Sequence, residues 1–125
     1  PYQHVLEPVF AYMLLAAKQY ENAALAGCYN VGPDECDCLT TGNLVNLFCD
    51  KWGDVTWRDV SVELPHEANF LKLDCSKIKA VLGWQPKWHI DEAIARTVEW
   101  TKVWQADYDI GELMEKQIND FLFAS

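Results

Sequence analysis

The stretch that decides the fold runs from Pro65 to Pro86, P-H-E-A-N-F-L-K-L-D-C-S-K-I-K-A-V-L-G-W-Q-P. It opens with His66, Glu67 and Asn69, a polar cluster placed to face a ligand. Phe70 to Leu73 read as a short strand, with Leu71 and Leu73 on one face and Lys72 on the other. Asp74 is a helix cap, because its short carboxylate can accept an N–H that the first turn leaves unpaired. The helix it opens carries Ile78, Val81 and Leu82 on one face. Gly83 tolerates the left-handed backbone that ends a helix, and Trp84 to Pro86 form an extended exit.

Working outward toward the N-terminus, Gln3-His4-Val5-Leu6-Glu7-Pro8 leads into a helix of about a dozen residues, with Pro8 in its first turn. Leu6, Val9, Phe10, Met13, Leu14 and Ala17 form one apolar stripe, while Ala11, Leu15 and Ala16 carry apolar character round the back. Such a helix is normally buried on several sides, and the residues after it look too few to cover it. The expectation is that a neighbour in a larger protein does so. Gly27 to Gly32 (G-C-Y-N-V-G) reads as a strand and Pro33-Asp34-Glu35 as a turn. Thr40 or Thr41 caps a second helix with Leu44, Leu47, Phe48 and Trp52 on one face, stopped by Gly53. Val55 to Val60 alternate as a strand does. Toward the C-terminus, Asp91 caps a helix bearing Ile94, Val98 and Thr101. The last segment has the cleanest helical period, through Ile110, Leu113, Met114, Gln117, Ile118, Phe121 and Leu122.

Half the residues are hydrophobic and six are Trp, so the chain should bury a core and be ordered. The formal charge of −9, with Arg58 and Arg96 the only arginines, argues against binding nucleic acid or an anionic membrane. No apolar run is long enough to span a bilayer, and no signal peptide is visible at the start. A cytoplasmic protein is expected. The five cysteines are odd in number and irregular in spacing, which does not suit a disulfide scaffold. Cys36-x-Cys38 has the spacing of half a metal site, but no second close-spaced Cys/His pair follows, so reduced thiols are expected.

The order of parts in the opening stretch resembles the sugar-nucleotide enzymes of the extended short-chain dehydrogenase/reductase type, in which L-x-L-D-x-S-K-x-x-x-x-L-G-W-x-P closes the substrate lobe. Pro65-His66-Glu67-Ala68 and the Gln3 to Pro8 segment are most similar to the CDP-glucose 4,6-dehydratases among them. The resemblance covers nearly the whole chain but only the C-terminal part of such an enzyme. It implies an α+β fold: a substrate-binding lobe from residue 33 to 125, preceded by a helix and strand (1–32) from the edge of the nucleotide-binding Rossmann domain. It also implies an NAD-dependent conversion of CDP-glucose to CDP-4-keto-6-deoxyglucose. The catalytic parts are absent here. None of the six glycines makes the Gly-rich turn that lets a backbone approach a dinucleotide, and no Tyr has a Lys four residues on. NAD is therefore expected in the parent enzyme and not on this chain, whose share is recognition of the sugar nucleotide.

The resemblance points to His4, Glu7, Asn30, His66 and Glu67 as substrate-binding residues. Local turn contacts account equally for His4 and Glu7, a backbone bond of its own for Asn30, and a solvated loop for His66 and Glu67. Lys72 and Lys77 are expected to be solvated, and Trp84, Trp88, Trp100 and Trp104 to serve core or interface more than sugar stacking. Alternatives remain open: another sugar-nucleotide epimerase or dehydratase, or a free-standing module that binds a sugar nucleotide or a protein. Besides the sugar nucleotide and the Rossmann domain, the apolar first helix makes self-association an expected partnership.

Overall fold

The computed structural model describes residues 2–60 and 72–124. Among the described residues, five α-helices carry the architecture: α1 (Leu6–Glu21), α2 (Thr41–Trp52), α3 (Ser76–Leu82), α4 (Ile90–Gln105) and α5 (Ile110–Phe123), with single 3₁₀ turns at Ala23–Leu25 and Glu35–Asp37. The caps explain most boundaries. Thr40 accepts the Asn43 N–H, Asp74 the Ser76 N–H and Asp109 the Gly111 N–H. Gly53 and Gly83 end α2 and α3 with φ of +84° and +65°, where a side chain would be strained.

The α+β expectation is corrected: no strand forms among the described residues. Gly27 to Gly32 forms no regular element, and its cross-chain ties use side chains where a strand needs a backbone ladder. Asn30 Nδ2 donates to the Asp74 carbonyl at 3.0 Å, Cys75 Sγ reaches the Gly32 carbonyl at 3.8 Å, and Gln3 Nε2 donates to the Val31 carbonyl at 3.4 Å. Val55 to Val60 fails for another reason. Val55, Trp57 and Val60 are all exposed, so the alternation has no buried face to secure it. Of Phe70 to Leu73 only Lys72 and Leu73 are described, and neither is in a strand.

The core lies between α1 and α3. Ala11, Cys75, Ile78 and Trp84 are buried together, with Phe10, Leu14, Tyr29, Val31 and Leu82 packed around them. An aromatic chain continues it toward α4 and α5: Phe10 meets Phe121 edge-on at 5.8 Å, Phe121 meets Trp88 at 5.0 Å, and Trp88 meets His4 at 4.9 Å. Such T-shaped contacts place a positive ring edge on a negative ring face. α4 packs against both α2 and α5. Asp91, expected to cap α4, sits in its first turn and pairs with Lys51; the carboxylate that accepts the Ile90 N–H comes instead from distant Asp37. Two lysines finish helices elsewhere. Lys87 Nζ donates to the Phe121, Leu122 and Ala124 carbonyls at the end of α5, and Lys102 Nζ to the Trp52 carbonyl at the end of α2. In both a cation meets the negative end of a helix. Among the described residues, no helix is long and apolar enough to cross a membrane.

Candidate functional site

The start of α1 and the turn before α4 meet at Glu7. Its side chain is 0% exposed, and Oε1 accepts the Lys87 N–H at 2.8 Å and the Trp88 N–H at 2.7 Å. Oε2 is buried with no partner among the described residues. Burial raises the Glu7 pKa, and the two backbone donors oppose the rise. A half-satisfied buried carboxylate costs free energy to keep ionised. Its two accepted hydrogen bonds fix the turn that carries Trp88, so Glu7 holds the corner in place.

His4 sits at the same corner. Its Nδ1 accepts the Leu6 N–H at 3.2 Å, which leaves Nε2 to carry the proton, and its ring edge faces Trp88. Burial lowers its pKa, with the Arg96 charge acting in the same sense. A cleft of about 330 Å³ opens beside it between the start of α1, α4 and α5, lined by His4, Leu6, Trp100, Met114, Gln117 and Ile118 among others. The cleft is mostly apolar, with the His4 ring, the Gln3 and Gln117 amides and the Thr97 hydroxyl among its polar groups. The buried Gln3 Oε1 has no partner among the described residues. This is the composition of a small-ligand site, apolar walls with a few fixed polar groups.

Asn30 lies elsewhere, exposed in the 27–32 segment with its amide on the Asp74 carbonyl. That bond anchors the chain just after residues 61–71. His66 and Glu67 lie in that segment, outside the described residues. The structure therefore brings His4 and Glu7 together through Trp88, while Asn30 stands apart on the Asp74 carbonyl. Lys77 is exposed, as expected, and also donates to the Cys28 carbonyl at 2.8 Å and lies over the Tyr29 ring at 4.4 Å. Lys72 pairs with Glu35. Trp84 and Trp88 are buried as expected, whereas Trp100 and Trp104 stack in parallel on an exposed part of α4.

Sequence spacing could not reveal a second polar cluster. Cys36, Asp37 and His89 bring their ligand atoms within 4.8 Å of one another. Asp37 is already committed: Oδ2 takes His89 Nδ1 at 2.7 Å and Oδ1 takes the Ile90 N–H at 3.0 Å. The bond to Asp37 raises the His89 pKa. Burial and the nearby Asp37 and Asp34 charges raise the Cys36 pKa, which opposes thiolate formation. The cluster thus closes the N-terminus of α4. Its sequence traces are Cys36 in the Cys36-x-Cys38 pair and the acid-rich turn at Asp34 to Asp37; the distant His89 gave none.

The glycines of the described residues serve helix ends, helix interiors and the 27–32 segment. No family model matches the chain. CDP-glucose 4,6-dehydratase of Salmonella typhimurium is 38% identical over 127 residues, an alignment that takes in all of this chain and 35% of that enzyme. The whole chain thus matches the C-terminal part of a CDP-glucose 4,6-dehydratase and spans about a third of its relative's length.

Proposed function

We propose that the chain is the substrate-recognition part of a sugar-nucleotide 4,6-dehydratase that converts CDP-glucose to CDP-4-keto-6-deoxyglucose. The observation that carries this reading is the 38% identity maintained across the entire chain. NAD, which supplies hydride transfer when bound to such an enzyme, is held in this reading by residues that precede the matched stretch. Residues 1–32 pack as the edge of that nucleotide-binding domain and residues 33–125 as the recognition lobe, in a cytoplasmic enzyme. The local geometry supports a division of labour. Glu7 fixes the turn bearing Trp88, the His4 ring borders an apolar cleft, and Asn30 holds the Asp74 carbonyl.

The test is a chimera in which this chain replaces the matching C-terminal stretch of the Salmonella enzyme. His66→Ala, Glu67→Ala and Asn30→Ala should each raise KM for CDP-glucose at little-changed kcat, the mark of binding shared by ground and transition states. Loss of a hydrogen bond to a charged partner costs about 1.5–3 kcal/mol, roughly a tenfold to hundredfold rise in KM. Unchanged KM in all three removes these residues from recognition. A kcat collapse at constant KM places one of them in the chemistry. A chimera that prefers a UDP- or dTDP-sugar favours the epimerase or dehydratase alternative, supported here only by the fold pattern that such enzymes share.

A further inference from the structure

Cys36-x-Cys38 has the spacing of half a metal site, yet Cys38 turns away and puts its Sγ on the Asp34 carbonyl at 3.6 Å. The fold gives Cys36 other partners. The 3₁₀ turn at Glu35–Asp37 meets the start of α4 through Asp37, whose Oδ1 takes the Ile90 N–H. Asp37 Oδ2 takes His89 Nδ1 at 2.7 Å, and the Cys36 thiol is hydrogen-bonded to the same carboxylate. Sulfur, carboxylate oxygen and ring nitrogen thus lie within 4.8 Å of one another. Thiolate, imidazole and carboxylate are the donors that zinc takes, at about 2.0–2.3 Å each, which sets donor atoms roughly 3.3–3.7 Å apart in a tetrahedron. Reaching that spacing moves an atom by about 1 Å. The buried member, Asp37, is held by α4, and the two that must adjust, Cys36 and His89, are exposed. The surroundings are anionic. Asp34 and Asp37 act on both Cys36 and His89, and Glu7 acts on His89 as well. Lys79 offsets part of that charge through its pair with Asp34.

From this arrangement we infer a binding site for a single zinc-class divalent cation, held by Cys36 Sγ, Asp37 Oδ2 and the His89 ring, with the fourth position open to water. Binding releases the Cys36 thiol proton and the proton between Asp37 and His89 to solvent. The ion's charge reverses the local field that keeps the thiol protonated. Magnesium and calcium are poor occupants, because both want a shell of oxygens. The role is structural. The ion ties the Glu35–Asp37 turn to the start of α4 and stabilises the fold as its concentration rises past the dissociation constant. The site stands independently of the functional reading above.

Cobalt(II) titrated into the reduced, chelator-treated 125-residue chain tests this, because a thiolate bound to cobalt gives a charge-transfer band in the near ultraviolet. A single cobalt per chain should bind with that band, and zinc should displace it. Cys36→Ser should abolish the band. His89→Gln should weaken cobalt binding at least about tenfold, whereas Cys28→Ser, at another exposed thiol, should change neither band nor affinity. Zinc should raise the melting temperature of the unmodified chain and leave that of Cys36→Ser where it was. No band at stoichiometric cobalt overturns the inference. So does a band that survives Cys36→Ser, which assigns the metal to another thiol. Cobalt binding unchanged in His89→Gln overturns it too, since a lone surface thiol would then be the ligand.

Discussion

The inner and outer faces of α1 make opposite use of their residues. The inner face buries a carboxylate, Glu7, and satisfies one oxygen with two backbone donors from a turn 80 residues away. The outer face leaves Val9, Tyr12 and Met13 in solvent. Hydrophobicity alone would have ranked these faces the other way round. The difference teaches that burial in a chain of this size follows from which partner can reach a face. α3, the Lys87–Trp88 turn and the end of α5 reach the inner side, and none of the described residues covers the outer face.

The largest expected effect tests the inner face. Ile78→Ala, at a fully buried site against α1, should lower stability by about 2–5 kcal/mol through lost transfer energy and an unfilled cavity. Urea unfolding measures it, and a loss under about 1 kcal/mol would mean that the site collapses on itself. Next comes the corner. Glu7→Ala strips the Lys87 and Trp88 N–H groups of their acceptor and should cost about 2–3 kcal/mol in the same assay. If Glu7→Ala is neutral, the turn holds itself and the corner has been misread.

Charge at the corner gives a sign-specific prediction. The Glu7 pKa is raised in the fold, so the protonated form binds the folded state better. Its contribution is fully present below the unfolded value of 4.5 and is lost as pH rises through the higher folded value. Glu7→Gln should remove that slope from the stability profile. His89 behaves alike one step higher. Its raised pKa adds stability below 6.5 that fades as pH climbs through the folded value. His4 runs the other way: its lowered pKa leaves stability intact above 6.5 and erodes it on acidification. His89→Gln should therefore abolish the fall in stability as pH rises from 6.5 through the raised folded value, and a profile unchanged from the wild type would contradict the Asp37 pairing. The smallest effect belongs to the outer face. Met13→Ala in the 125-residue chain should move stability by no more than about 0.5 kcal/mol, and a larger loss would show that this face is already covered.

Most helix ends were legible in the sequence because caps are local chemistry. Thr40, Gly53, Asp74 and Gly83 act within a few residues of where they stand. α4 was the exception, since its N-terminus is closed by Asp37, 53 residues away in sequence from Ile90. The strands were misread because alternation reports a face and cannot supply the neighbour that a ladder requires. Gly27 to Gly32 forms no ladder, and Asn30, Gln3 and Cys75 tie it through side chains. The first helix was recognised as apolar nearly all round, which left its inward face undecided: in the fold Val9 and Met13 face out and Glu7 faces in. A carboxylate beside a proline gives no local signal that it will be enclosed. At the candidate site, proximity in sequence placed His4 and Glu7 together, and only the fold could set Trp88 between them.

The account stands or falls on whether this chain can do the work of the matching part of a dehydratase. The most direct measurement is formation of the 4-keto product from CDP-glucose by the chimera, compared with the 125-residue chain alone. The chimera should form product and the lone chain none. A folded, NAD-loaded chimera that leaves CDP-glucose untouched would contradict it.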